Sequence, residues 1–347
     1  MEPPSGCHPL CMSLNNKKYP AMIRVTRCHL CHPDVADQPT AGGELQQEEN
    51  PAMLQIAFLA CPDTLTGSLT RRPDAFEHDL QLAALRDGLG RRAEATDIDW
   101  RAPLEELVGF DLAILGTPWD YTEAKDEFIA RLEALEAAGV VVANPAEVVR
   151  WNADKLYLQE LAAKGAPSIP TLWPQAPRPS DIHAAFHHFG CDRVVVKRRV
   201  GAGAIGQDSF VRGDPGIDLW SMDQPAMIQP FLAAIQQEGE LSFIFIAGEL
   251  SHALLKRAAP GDYRIQSLYG GVEIPFDPAP ADRAAAEAVM AMLPFAQPPL
   301  YARIDMVRLD DGKLAVIEAE LIEPYLYPEH GAHFGKKLAD AVVAQLA

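Results

Sequence analysis

Tyr301-Ala-Arg-Ile-Asp305, Asp311-Gly312 and Ile317-Glu-Ala-Glu320 follow one another near the C-terminal end of the chain. Asp-Gly is a favoured two-residue hairpin turn, so the flanking segments read as antiparallel strands over 300–308 and 313–321. In that register Asp310 faces Lys313, Asp305 faces Glu318, and Arg303 faces Glu320. Asp305, Glu318 and Glu320 then share one face, between the apolar residues Ile304, Met306, Ile317, Ala319 and Leu321. Such alternation is also what a solvated sheet face shows. Three like charges on adjacent strands repel, however, and a hard divalent cation relieves that repulsion. Magnesium needs few carboxylates and keeps the rest of its shell for phosphate and water. Asp305, Glu318 and Glu320 are therefore candidate metal ligands.

Upstream, Val194-Val-Val-Lys197 is an apolar strand ending on a cation, followed by a loop carrying Gly201, Gly203 and Gly206. Glycines let backbone N–H groups turn toward an anion, and Lys197 can hold a phosphate as a point charge. The spacing is neither that of a Walker A loop nor that of a dinucleotide fingerprint. A plain glycine-rich hairpin fits the same residues.

From Met53 the pattern alternates between strand and helix: strands at 54–61, 110–117 and 140–143, helices at 75–89 and 122–138. This predicts a small parallel α/β unit with ligand-facing loops at the strand ends. One such loop holds Trp119, Asp120 and Tyr121, which either line an acceptor pocket or form a surface turn with one packed aromatic. A helix at 152–163, a proline-rich connection, a helix at 180–189 with Ser180 as N-cap and strands at 193–198 and 207–212 suggest a small α+β lobe. Strands at 241–247 and 249–256 and helices at 281–293 and 335–346 complete the rest. His252 and Lys256 share a strand face. They point at phosphate, or Lys256 and Arg257 form a solvated edge. The domain expectation is an extension at 1–52, an α/β substrate domain at 53–148, a small lobe at 149–224 and a C-terminal lobe at 225–347.

With 347 residues, several packed subdomains are expected. The net charge of −18 argues against a nucleic-acid partner. It leaves a nucleotide pocket open, since that needs only local cations and a metal. No apolar run is long enough to span a bilayer and no secretory layout is seen, so a cytoplasmic protein acting on small molecules, without a membrane partner, is expected. Four of the six cysteines, Cys7, Cys11, Cys28 and Cys31, lie in the first 31 residues. They are spaced like two zinc-ligand pairs, but the segment lacks an apolar core, so a disordered extension is the expectation ahead of a zinc site.

Taken in order, the strand-Lys-Gly loop, an apolar hinge, then Arg-x-Asp and Glu-x-Glu resemble the ATP-grasp superfamily. The chain is similar to its glutathione-synthetase-like branch, and within that to the cyclo-ligases of cycloserine biosynthesis. Trp119-Asp-Tyr121, Arg150-Trp-Asn-Ala-Asp-Lys155 and Glu318-Ala-Glu-Leu-Ile-Glu-Pro324 carry the closer likeness, over about residues 53–347. The resemblance implies an α/β chain with α+β lobes, an ATP-grasp fold that binds ATP between two lobes behind a parallel N-terminal domain. It implies that Lys155 and Lys197 contact the phosphates and that the loop of Gly201, Gly203 and Gly206 closes over them. Gln229, Phe231 and Leu232 would form the adenine hinge, and Glu240 would meet the ribose. Arg264 would be the catalytic cation, stabilising the transferring phosphoryl group. Asp305, Glu318 and Glu320 would hold two Mg2+ ions, or Mn2+; many members have Asn where Glu320 stands. The implied activity is an ATP-dependent carboxylate–amine ligase working through an acyl phosphate on an amino-acid-like substrate, with ring closure as one form. The implied assembly is a homo-oligomer. A non-catalytic ATP-binding protein on the same fold is the alternative, and the full set of cations and carboxylates speaks against it.

Overall fold

The computed structural model describes residues 53–201, 206–259 and 270–347. The cysteine-rich segment with Cys7, Cys11, Cys28 and Cys31, the loop residue Gly203 and the cation Arg264 lie outside the described residues.

The first sheet is parallel. Its strands β1 (Leu54–Ala60), β2 (Ala93–Asp99), β3 (Leu112–Thr117) and β4 (Val141–Ala143) stand in the order β2-β1-β3-β4. The helices α1 (Phe76–Leu89), α2 (Leu104–Leu107) and α3 (Lys125–Ala137) belong to this unit. β1 and β3 are buried nearly throughout, as central parallel strands must be. The sequence pattern omits β2: Ala-Glu-Ala-Thr-Asp-Ile-Asp is an edge strand with a half-exposed, acidic face.

The helix expected at 152–163 is two helices, α4 (Ala146–Asn152) and α5 (Tyr157–Ala163). The break is held by side chains. Asp154 accepts from the Leu156 N–H at 3.0 Å and takes Arg199 on both oxygens. Helix α6 (Pro179–Phe189) follows. Its N-cap is Arg178 rather than Ser180, because Pro179 takes the first helical position and the Asp181 carboxylate reaches back to the Arg178 N–H at 2.8 Å. A three-stranded antiparallel sheet lies on α6: β5 (Arg193–Arg198) runs between β6 (Gln207–Val211) and β7 (Ala226–Pro230).

After the one-turn α7 (Ala234–Gln237), an antiparallel sheet is built from β8 (Glu240–Ile246), β9 (Glu249–Arg257), β10 (Val272–Phe276), β11 (Tyr301–Arg308) and β12 (Leu314–Glu320), in the order β10-β9-β8-β11-β12. Helix α8 (Pro280–Ala291) covers it. β10 is another edge strand that the pattern omits, with Val272 and Ile274 exposed. The last helix, α9 (Phe334–Ala344), returns to the first core and packs on α1. Their backbones nearly touch: a Cβ on Gly88 would stand 2.0 Å from the Gly335 carbonyl oxygen, so only glycine fits there.

The hairpin differs from expectation at its tip and agrees at its base. Leu309, not Asp310, pairs with Lys313, and Gly312 closes a three-residue loop at φ +81°. That shifts the register by one. A bulge between Asp305 and Met306 shifts it back, so Asp305 does face Glu318 and Arg303 does face Glu320.

Candidate functional site

The outer edge of β12 is satisfied by side chains instead of a further strand. The Ala319 N–H donates to the Tyr157 hydroxyl at 2.9 Å, and the Leu321 N–H donates to Asn152 Oδ1 at 2.9 Å. Asn152 Nδ2 returns a bond to the Ala319 carbonyl at 2.7 Å. Lys155, between these two anchors, is thereby delivered to the charged face of the hairpin. Its Nζ stands 2.9 Å from Glu318 Oε1 and donates to the Gly201 carbonyl at 2.7 Å. Lysine, glycine turn and carboxylate hairpin thus meet at one point. Burial works against the Lys155 charge, but Glu318 overrides it and the pKa is raised.

Inward from Glu318 the charges alternate. Arg303 bonds Asp305 through Nε and Nη2 at 3.0–3.1 Å and also holds Glu320. Lys256 stands 2.5 Å from Glu240 and 3.4 Å from Asp305. Ser242 donates to Asp305 as well. Asp305 is only 2 % exposed. Burial opposes its ionisation, yet Arg303 and Lys256 bring its pKa down to about 2. Burial raises the pKa of Glu240, against the pull of Lys256. Glu320 is pushed up to about 7, first by burial and then by Asp305 and Glu318, with Arg303 opposing. Of the two readings open for Lys256, the solvated edge fails: this side chain is buried among carboxylates, while Arg257 is exposed. Among the described residues, no three carboxylate, imidazole or thiol groups stand together as a ready metal cage. Arg303 and Lys155 lie against the carboxylates instead.

Lys197 is the next-to-last residue of β5. It makes no hydrogen bond or ion pair with the described residues. Burial lowers its pKa, partly offset by the charges of Glu318 and Glu240. Its ammonium therefore has no protein partner among the described residues and is available to an anion. Gly201 lies at the start of the loop and Gly206, at φ +71°, lies at its end. Gln229 is buried on β7 and its amide bonds Thr171 Oγ1 at 3.0 Å. Phe231 and Leu232 follow the strand rather than extending it. The Phe231 N–H donates to the Arg193 carbonyl at 2.9 Å, and the Leu232 carbonyl accepts from Ile235 at 3.1 Å.

Trp119, Asp120 and Tyr121 form a single 3-10 turn (Trp119–Glu123) after β3. Both Asp120 oxygens are taken, one by the Trp100 indole at 2.7 Å and the other by Arg101. Trp119 stacks under the Arg72 guanidinium, 4.7 Å from the ring centre. Tyr121 is 5 % exposed and packs on Phe128. Burial raises its pKa, and the charges of Glu323, Glu318 and Glu320 raise it further.

Glu323 was not among the sequence candidates. It follows β12 on a segment strapped to the first sheet: Asn144 bonds the Leu321 carbonyl at 2.7 Å, and the Tyr301 hydroxyl bonds the carbonyls of Leu115 and Ile322, both at 2.8 Å. Its signal was present in the Glu-Ala-Glu-Leu-Ile-Glu run, but no periodicity assigns a direction to a side chain beyond a strand end.

Comparison with known proteins places these features in one family. Residues 56–144 match the family model described as the N-terminal domain of D-cycloserine synthetase DcsG. The cycloserine biosynthesis protein DcsG of Streptomyces lavendulae is 30% identical over 262 residues, which is 70% of this chain and 87% of that protein. The crystal structure of D-cycloserine synthetase DcsG superposes with a TM-score of 0.71 at 24% identity, covering 84% of this chain and 100% of that one. The D-alanine–D-alanine ligase of Bacillus anthracis, solved with ATP, gives 0.59 at 15% identity over 84% of this chain and 97% of that one. The ATP-grasp ligase PsnB, solved with Mg and ADP, gives 0.57 at 16% identity over 84% and 98%. No helix among the described residues is long and apolar enough to cross a membrane.

Proposed function

The chain belongs to the DcsG family of ATP-grasp ligases, and from that premise we propose that it activates a carboxylate of an amino-acid-like substrate with ATP and passes it to an amine. The observation that carries this reading is the junction at Lys155, where one ammonium bridges Glu318 and the Gly201 carbonyl, while Lys197 has no hydrogen bond or ion pair among the described residues. Phosphoryl transfer asks a protein for positioning and charge stabilisation more than for covalent chemistry, and this arrangement offers both.

The carboxylates also fit the metal the chemistry calls for. Asp305, Glu318 and Glu320 supply hard oxygens and no sulfur or imidazole, which suits magnesium or manganese. The ion's contribution, when bound, is to neutralise triphosphate charge and orient the γ-phosphoryl group. In this reading Lys155 and Lys197 leave or forgo protein partners for phosphate oxygens. The loop from Gly201 to Gly206 covers them. The segment Gln229–Leu232 takes the adenine, and Glu240 takes the ribose. Arg264 stabilises the charge on the transferring group. The substrate carboxylate attacks the γ-phosphorus, giving an acyl phosphate and ADP. An amine, on a second molecule or on the same one, then displaces phosphate. Closure of the site protects that intermediate from water. The turn of Trp119, Asp120 and Tyr121 borders the acceptor end, with Asp120 acting through its grip on Trp100 and Arg101.

The test is a panel of amino acids of both hands, O-substituted serines and dipeptides, scored for ADP with magnesium present and after chelation. One or more compounds should raise ADP release well above the ATP-only rate, and chelation should remove the increase. A panel in which no compound stimulates ADP release overturns the ligase reading.

A further inference from the structure

The parallel sheet has its switch point between β1 and β3. The chain passes from β1 to β2 on one side, then crosses to β3 on the other. Loops leaving two such strands part in opposite directions, and a crevice opens at the C-terminal strand ends. Arg72 stands on the loop after β1 and Trp119 on the loop after β3. Their side chains meet, with the guanidinium 4.7 Å from the centre of the indole. The same end of β3 touches the segment that follows the carboxylate hairpin. There the Tyr301 hydroxyl joins the carbonyls of Leu115 and Ile322, both at 2.8 Å.

The adjacent arginines of this loop are bonded differently. Arg71 closes the loop: it holds both oxygens of Asp79 at 2.8 and 3.0 Å, and its Nη2 donates to the carbonyls of Thr64 and Ala75. Arg72 is held on one edge only. Its Nε and Nη2 donate to Asp74 at 2.7 and 2.8 Å, and its backbone N–H donates to the Asp63 carbonyl at 3.0 Å. The fork between its two Nη atoms has no further partner among the described residues. Asp74 is 13 % exposed and Arg72 32 %, so the support is the more buried member and the guanidinium stays within reach of a ligand. A fork fixed by a carboxylate and an aromatic face loses little freedom on binding, and its shape matches the two oxygens of a carboxylate.

We propose that Arg72 binds a carboxylate of the substrate through this free fork, with Asp74 and Trp119 as positioning residues. This rests on the ligase reading above and names a group that selects its amino-acid-like substrate. Arg72 contributes binding and orientation, and no bond is made or broken at it.

The test uses the full-length protein and whichever panel compound releases most ADP from the wild type, with the carboxamide analogue of that compound as a competitor. Arg72→Met should raise KM for the compound about 10–100-fold and leave KM for ATP within about 2-fold, since the ATP contacts proposed above lie on other elements. The preference for acid over carboxamide should shrink by the same factor, which a purely structural role would not cause. Arg72→Lys keeps the charge on the same loop without the planar fork, and should recover only part of the affinity. Asp74→Asn should give a smaller rise in KM, with the preference for acid kept. An unchanged KM for the compound in Arg72→Met overturns the proposal. So does an equal rise in both KM values, or an acid preference that survives intact. Absence of ADP release from the wild type with every compound instead overturns the underlying ligase reading, so the two failures are distinct.

Discussion

Two polar clusters are buried in this molecule, and they close their bonds differently. At the C-terminal ends of the parallel sheet, Asp97 faces His78 at 3.3 Å, His78 bonds Thr117 at 2.8 Å, Thr117 bonds Thr64 at 2.9 Å, and Cys61 bonds Asp63 at 2.9 Å. Each group has a partner, and burial lowers the His78 pKa so that the ring is neutral at ordinary pH. On the antiparallel hairpin the cluster is ionic, and among the described residues Lys197, Glu323 and Tyr121 at its rim make no side-chain hydrogen bond or ion pair. A closed network holds a loop in place; an open one presents charge to a ligand. The contrast predicts that mutations in the first cluster act on stability and those at the rim of the second act on turnover.

The sharpest break would come at Asp305, which belongs to both categories. Its removal leaves Arg303 and Lys256 buried with one carboxylate fewer. Asp305→Ala should therefore cost about 3–5 kcal/mol of unfolding free energy as well as activity, seen as a lower urea midpoint. Next come Lys197→Ala and Glu318→Ala, which should lower substrate-dependent ADP release on the order of 10²–10³-fold. Lys197→Ala should leave the melting temperature unchanged or higher, because the lost charge had no partner. A large stability loss there with intact turnover would erase the distinction between the clusters. Smaller again is His78→Leu, expected to cost about 1–3 kcal/mol through the lost hydrogen bonds to Thr117 and Asp97, with kcat/KM of the folded fraction unchanged.

The hairpin was legible because register depends on the pattern at its base. Its tip was read one residue off, and the bulge beside Asp305 cancelled the error. Edge strands β2 and β10 escaped because one partner strand and a solvated face leave little apolar period to see. Lys197 was visible as a cation at the end of an apolar strand, while Lys155, inside the helix expected at 152–163, came from the resemblance alone. What sequence could not give was side-chain pairing: that Arg303 stands between Asp305 and Glu320, or that Asp120 is spent on Trp100 and Arg101. Those facts depend on the direction each side chain takes at a strand end or in a loop, which no periodicity fixes.

The smallest effect is also the most specific. Glu323 has a folded pKa raised to about 8 from an ordinary 4.5. Between those values the native state binds the extra proton, so stability falls as pH rises through the window and the full penalty stands above it. Glu323→Gln removes the ionisable group and should melt higher than wild type, by a margin that is small near pH 5 and grows toward pH 9. His78 provides the counter-case. Its pKa is lowered by burial, so the net cost of His78→Leu should be smallest at acid pH, below the ordinary histidine range, and should stand in full at alkaline pH. Melting curves of the two variants across the same pH series should diverge in opposite directions. Parallel curves would mean that the glutamate is no less settled in the fold than the histidine, and the division between closed and open clusters would fail at its most sensitive point.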